Sequence, residues 1–437
     1  MPKLMQQPLA VASATAPGWL AASHADARQR WEAASLPTRK TEQWKYTDVS
    51  AIDREFAPGQ PASVASATLE SLVPDCAGAR LVFVNGHYDP ALSVPDAAEG
   101  VLVTRFADAD EAQAALIQEH LGSVVGRDRH LFATLNSAAL SDGVFLHVAA
   151  GATVHAPVQV VWLTTGQSEA FAVNQRLLVL AEDNSAMSVV ETFASVDQGT
   201  VPAFTNGVSE FVLKRGATLN HCRLQLESGC ALHIGGAHAH LERDATFNSF
   251  NLGLGSDLKR IDIVIEHRGE GAHAEVNGLY LPRGKEHIDY HTCMEHALPR
   301  CTSTETFRGV VADKASAVFN GRIHIHPQAQ KTSAVLNNRN LLTSKEAQVN
   351  TKPELEIYAD DVQCAHGATV AQLDELSMHY LRSRGISASE AQVLLSFGFV
   401  NELVNGVRSE PLREFLRSLL ATRFARDTAV LTQDADA

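Results

Sequence analysis

A short motif recurs through the middle of the chain: a Gly or polar residue, then Ala, then strand-forming residues. It stands as GATVHAP at Ala152, NSAMSVV at Ala186, GATLNHC at Ala217, DATFNSF at Ala245, GAHAEVN at Ala272, KASAVFN at Ala315, EAQVNTK at Ala347 and GATVAQL at Ala368. The copies lie roughly 20 to 45 residues apart, the spacing of stacked structural repeats. A turn, a small residue where the backbone bends inward, and a strand together describe one coil of a β-solenoid. One coil cannot bury its apolar face alone, but stacked coils share a core. The uneven spacing points to loops of unequal length, or to paired strands, rather than to a strict hexapeptide ladder. An antiparallel sandwich of many strands is the competing architecture. The expected fold is mainly β, a β-helix (solenoid) core flanked by helices.

Helical periodicity brackets that core. LAASHADARQRWEAA, DEAQAALIQEHLGSVV and RHLFATLNSAALSDG read as helices, the last ending at Gly143, with Trp19, Leu20 and Trp31 as anchors. Between them, ARLVFVNGHYDPALS reads as a strand, a turn at Asn85-Gly86 and a short return. After the strands, QLDELSMHYLRSRG is an amphipathic helix closed by Gly385. The next helix opens with Ser387 and Glu390 at capping-box spacing, and a third has Pro411 in its first turn. The expected division is a mainly helical N-terminal region (1–143), the β-helix (144–370) and a C-terminal helical domain (371–437). The C-terminal helices carry an apolar stripe of Leu394, Leu395, Phe397, Phe399, Leu403, Phe415 and Leu419. Part of it is expected to cap the open end of the solenoid, and the remainder to dock another protein.

Bulk charge narrows the partners. The net charge of −14 argues against nucleic acid or an anionic membrane surface, both of which demand a basic field. No apolar run reaches the length of a membrane span. The opening MPKLMQQPLAVASATAP, with one Lys and a short apolar stretch, is too weak for a secretory signal, so a cytoplasmic location is expected. The six cysteines, at 76, 222, 230, 293, 301 and 364, form no C-x-x-C pair, which speaks against a zinc ribbon.

Candidate chemistry gathers in three places. GRIHIHP sets His324 and His326 two apart, on one side of a strand, a spacing that can ligate a metal but lacks a third ligand. KEHIDYHTCMEHALPRC holds His287, His291, Cys293, His296 and Cys301. Both sets also read as ordinary structural or solvated residues. Asp289, Glu295, Asp313, Asp360 and Asp361 are the acids a stand-alone β-helix enzyme, a polysaccharide lyase or hydrolase, would pair for acid–base work. No phosphate-binding G-x-x-x-x-G-K-[ST] loop occurs. The third place is EIYADDVQCAHGATV, where Cys364 and His366 are two apart and point the same way if extended. Thiolate and imidazole both suit iron, and two ligands make half a site. Closure needs ligands from elsewhere in the chain or from a second subunit. A buried Cys beside a turn His is the plain alternative.

The stretch from HIDYHTCMEH to CAHGATV strongly resembles the SufB/SufD family of iron–sulfur cluster assembly proteins. The likeness continues through YLRSRGIS and EAQVLLSFGFVNEL, and upstream through LNSAALSDGVFLHV, FVNGHYDPALS and PTRKTEQWKYTDV. Gly367 follows His366 where SufB-type chains usually carry an acid, so the chain looks closer to the SufD branch. This resemblance implies a β-helix between helical regions, acting as a non-catalytic scaffold subunit. It implies pairing with SufB through the β-helix ends and binding of the ATPase SufC through the C-terminal helices, with Leu394, Phe397, Phe399 and Leu403 as the contact residues. It further implies a nascent iron–sulfur cluster at the shared interface, with His366 as a transient metal ligand and Cys364 beside it as ligand or structural thiol. Reduced FAD on the complex is the implied electron source, and a homodimer is the implied alternative in isolation.

Overall fold

The computed structural model describes residues 5–125, 130–197 and 199–435. Its helices are α1 (Gln6–Thr15), α2 (Ala21–Ala33), α3 (Ser66–Leu72), α4 (Glu111–His120), α5 (Leu131–Ala138), α6 (Glu375–Ser383), α7 (Ala388–Asn405) and α8 (Glu410–Ala435). The first strands are β1 (Ala57–Pro58), β2 (Arg80–Val84), β3 (His87–Tyr88), β4 (Val101–Arg105) and β5 (Val144–Val148). Then come β6 (Val158–Thr164), β7 (Phe171–Ala181), β8 (Ala186–Ser195), β9 (Ala203–Leu213), β10 (Thr218–Leu226), β11 (Ala231–Leu241) and β12 (Thr246–Leu254). The series ends with β13 (Leu258–His267), β14 (His273–Leu281), β15 (His287–His296), β16 (Thr302–Val311), β17 (Ser316–Ile325), β18 (Ser333–Leu342), β19 (Gln348–Ile357) and β20 (Gln363–Gln372).

From β5 on, odd strands stack in one sheet and even strands in a second, every neighbour parallel. Each coil therefore contributes one strand to each sheet, which is the paired-strand form of the solenoid and excludes the antiparallel sandwich. A coil advances 26 residues between Leu232 and its partner Leu258, and 32 between Ser316 and Gln348. The N-terminal stretch is not only helical. β2 joins the even sheet and β4 the odd sheet, and β2 turns into β3 through Asn85 and Gly86, both at positive φ, as the Asn-Gly pair predicts.

The recurring motif is the corner of the coil. At five consecutive odd-to-even corners a residue in the left-handed region precedes a small, buried one. The pairs are Asn184 with Ser185, Gly216 with Ala217, Asp244 with Ala245, Gly271 with Ala272 and Arg300 with Cys301. The first residue reverses the chain and the second drops into the core where a larger side chain finds no room. Ala315 and Ala347 are small, buried residues at even-to-odd corners, though the residue directly before each is not left-handed. Ala368 is at no corner: it lies inside β20 and is exposed.

Alternation decides what each strand residue faces. Inward residues such as Leu219, Phe247, Ile263, Phe307 and Phe319 form one continuous apolar core between the sheets. Outward residues of the even sheet, including Leu224, Leu252, Leu279 and Val310, are also apolar, and Val400, Val404, Leu416 and Leu420 of α7 and α8 cover them. The early odd strands are covered by the N-terminal helices through Trp31, Phe132, Phe204 and Ile234. The C-terminal helices thus lie along the flank of the even sheet. They do not cap the solenoid's end as expected: the apolar stripe they match runs along the sheet face, and among the described residues no helix covers the end.

Candidate functional site

That end is built from β19 and β20, the last strand of each sheet. Among the described residues no strand neighbours their outer edges, and most of their residues are exposed or half-buried. The two edges differ in chemistry. β19 carries Lys352, Pro353, Glu354 and Glu356, the charges and proline with which proteins blunt an edge. β20 reads QCAHGATVAQ and carries no Asp, Glu, Lys or Arg.

In-register pairing sets Cys364 beside Ala334 and His366 beside Leu336, both fully buried inward residues of β18. Cys364 and His366 therefore face the solenoid interior at its open mouth, on the same side of the strand as their spacing predicts. Cys364 is half-buried against the inner core. Burial raises its thiol pKa, with a backbone contact from Ala334 acting the other way, so the resting group is the thiol. His366 is exposed, and among the described residues nothing hydrogen-bonds or ion-pairs with its ring. Among those residues, no third His, Cys, Asp or Glu stands close enough to share a cation with the pair. One inward row runs Val276, Glu305, Leu336, His366 across successive coils. Within it Glu305 is fully buried, and burial pushes its carboxyl up to about 8 against the pull of the Thr292 hydroxyl.

The five-residue set between 287 and 301 disperses. His287 faces outward to Ser316 and Thr47, at 2.6 and 3.0 Å, and His291 meets Asp289 at 3.0 Å. His296 faces inward, stacks on His267 at 4.1 Å and contacts Ser303 at 2.9 Å. Cys301 is a corner residue whose thiol meets the Gly269 carbonyl at 3.2 Å. The acids do not converge either. Burial alone would raise the Asp289 carboxyl, but Arg260 at 2.8 Å, with His291 and Thr47, holds it well below the usual carboxylate range. Asp313 sits at a corner, and Asp361 pairs with Lys331 in the turn before β20.

Of the candidate contact residues on α7, only Leu394 is strongly exposed, at 52%. Phe397 packs edge-on against Phe424 at 6.2 Å, Phe399 lies under the Arg308 guanidinium at 5.3 Å, and Leu403 is half-buried on the same core. Sequence reading missed Leu376 and Tyr380 on α6, 76% and 56% exposed on a helix with no buried residue. The signal was there: QLDELSMHYLRSRG reads as an amphipathic helix, so its apolar side calls for a cover.

The chain matches the sequence model of the family described as "SUF system FeS cluster assembly, SufBD core domain" over residues 163–399. It matches that of the SufBD protein N-terminal region over residues 2–160. It is 33% identical over 399 residues to the iron–sulfur cluster assembly protein SufD of Escherichia coli (strain K12), covering 89% of each chain. It is 29% identical over 397 residues to an iron–sulfur cluster assembly SufBD family protein of Synechocystis, covering 89% of this chain and 87% of the relative. Against the Bacillus subtilis protein named SufB it is 25% identical over 311 residues, 69% of this chain and 64% of that one.

Proposed function

The chain belongs to the SufBD family of the SUF iron–sulfur cluster assembly system, and from that premise we propose that it is a SufD-type, non-catalytic scaffold subunit. In this reading β19 and β20 pair with the matching edge of a SufB solenoid, extending both sheets across the interface. His366 and Cys364 supply half of a ligand set, the SufB chain supplies the rest, and the nascent cluster is cargo held between them. The C-terminal helices (371–437) bind the ATPase SufC, with Leu394 at the contact and Phe397, Phe399 and Leu403 behind it. The cytoplasm is the compartment for this work. Reduced FAD on the assembled complex is the electron source, and this reading assigns it no residue of this chain.

The observation that carries the proposal is the mouth of the solenoid. A ten-residue strand with one open edge and no Asp, Glu, Lys or Arg is a liability unless another chain covers that edge. On that strand sit an imidazole with no partner and a thiol held protonated by its surroundings. A metal arriving from across the interface would draw the proton from Cys364, because a ligating thiol must ionise. A site split between two chains also suits a cluster that must leave, since four fixed ligands in one chain would retain it. The stand-alone enzyme reading has less support, because its candidate acids lie in separate environments.

The test is His366→Ala co-expressed with SufB and SufC. The expected outcome is an intact three-protein complex whose iron and sulfide content falls several-fold. Loss of the complex itself would instead assign His366 to packing.

A further inference from the structure

The outer face of the odd sheet carries a second constellation that the reading above does not use. We propose that Glu295, His324 and His326 bind one first-row divalent transition-metal ion, of the iron(II) or zinc class, through one carboxylate and two imidazole nitrogens. His324 and His326 alone lack a third ligand. The fold supplies it one coil earlier, because Glu295 of β15 is the register partner of His324 of β17.

Geometry favours a shared ion. His324 Nδ1 lies 3.0 Å and His326 Nε2 lies 3.3 Å from the same oxygen, Glu295 Oε1, and the three ligand atoms all fall within 4.8 Å of one another. Ligands at about 2.0–2.1 Å from a tetrahedral ion stand about 3.3 Å apart, so the donors need little movement to close on one. Two imidazoles and a carboxylate are a borderline-hard set that suits iron(II) and zinc rather than calcium or magnesium. The three side chains are only partly buried, which leaves coordination positions open to water or to a further ligand.

The surroundings fit a cation. The nearest guanidinium, Arg322, is bound by Glu356 at 2.6 Å, so its charge is already compensated. Glu266, the register partner of Glu295 on the other side, is held by His240 at 3.1 Å and Arg268 at 2.8 Å. Tyr358 sets its ring edge-on to His324 at 5.6 Å, and the two histidine rings lie 4.4 Å apart. All three ligands sit on or directly after paired strands, so their spacing is fixed before any ion arrives. Among the described residues the α-helices that cover the early odd strands do not reach this end of β15 and β17, where Glu295 and His324 keep partial exposure.

This site is separate from the interface half-site, and its test is separate too. The full chain, freed of metal with a chelator, is titrated anaerobically with cobalt(II), followed by its visible ligand-field absorption, and then challenged with zinc. One equivalent is expected to bind. The double substitution His324→Ala, His326→Ala should weaken binding by about 100-fold or more, and Glu295→Gln by about tenfold or more. His366→Ala should leave the titration unchanged. Thermal melting identifies any variant that fails to fold, and Glu295→Gln, nearly isosteric, then carries the comparison. The proposal is overturned if wild type binds no more cobalt than the folded variants, or if His366→Ala abolishes binding while the double variant keeps it.

Discussion

His366 and Glu305 occupy one inward row of the solenoid two coils apart, and burial gives them opposite characters. His366 is open to whatever meets the mouth, whereas Glu305 is sealed in the core with its carboxyl pushed up to about 8. The folded chain therefore keeps a proton on Glu305 that the unfolded chain releases near pH 4.5. The stability this contributes is complete below that pH and is lost as pH rises toward 8, by up to about 1.4 kcal/mol per pH unit. Glu305→Gln should flatten that dependence. Urea midpoints compared at pH 5 and pH 8 check it: the wild-type midpoint should fall further than the variant's. Single residues were unevenly legible in the sequence. The shared direction of Cys364 and His366 followed from two-residue spacing alone. The apparent histidine cluster from 287 to 301 did not survive, because alternation sends His296 inward while His287 and His291 stay outside. Glu295 was legible only as an acid, since its partnership with His324 depends on a register that local sequence does not encode.

At the scale of elements, β20 is the part most exposed to test. The Gln363 amide hydrogen-bonds to the Thr332 carbonyl, so along β20 the odd amides face β18 and the even ones face the open edge. Ala368→Pro removes an edge-facing N–H without taking a bond from β18. It should weaken capture of a SufB-type partner by about tenfold or more while shifting the melting temperature little; co-purification yield and a thermal melt read the two. A second prediction belongs to α6 and α7. Leu394→Asp puts a charge on an exposed apolar surface, and should reduce binding of the SufC-type ATPase in a pull-down with no loss of stability, since Leu394 contributes little to the core. Undiminished binding would move the contact elsewhere, with Leu376 and Tyr380 of α6 the next to substitute. The corner motif was readable because a left-handed residue followed by a small buried one leaves a direct trace in sequence. It failed at Ala368, where GATV continues a strand. The seat of the C-terminal helices was not readable, because an apolar stripe announces that something is covered without saying what.

The whole molecule is asymmetric from end to end. At the start of the solenoid, β3 and β4 pair antiparallel with β2 and β5. Helices cover the even sheet along its flank and the odd sheet over its early coils. The far end presents the outer edges of β19 and β20, with Cys364 and His366 on the latter. Repeat spacing was enough to predict the solenoid with helices on either side of it, but not that β2 and β4 of the N-terminal stretch would join its two sheets. Which end would stay open depended on how far the helices reach along the sheet faces, a tertiary outcome. On the proposed function, the open end works only when a second chain closes it. The most direct test is anaerobic iron and sulfide reconstitution of this chain alone, with a SufB-type partner, and with that partner plus His366→Ala. Visible absorption with iron and sulfide counts should show a cluster in the second case, little in the first and markedly less in the third. A stoichiometric cluster on the chain alone, or an undiminished one in the His366→Ala complex, would contradict it.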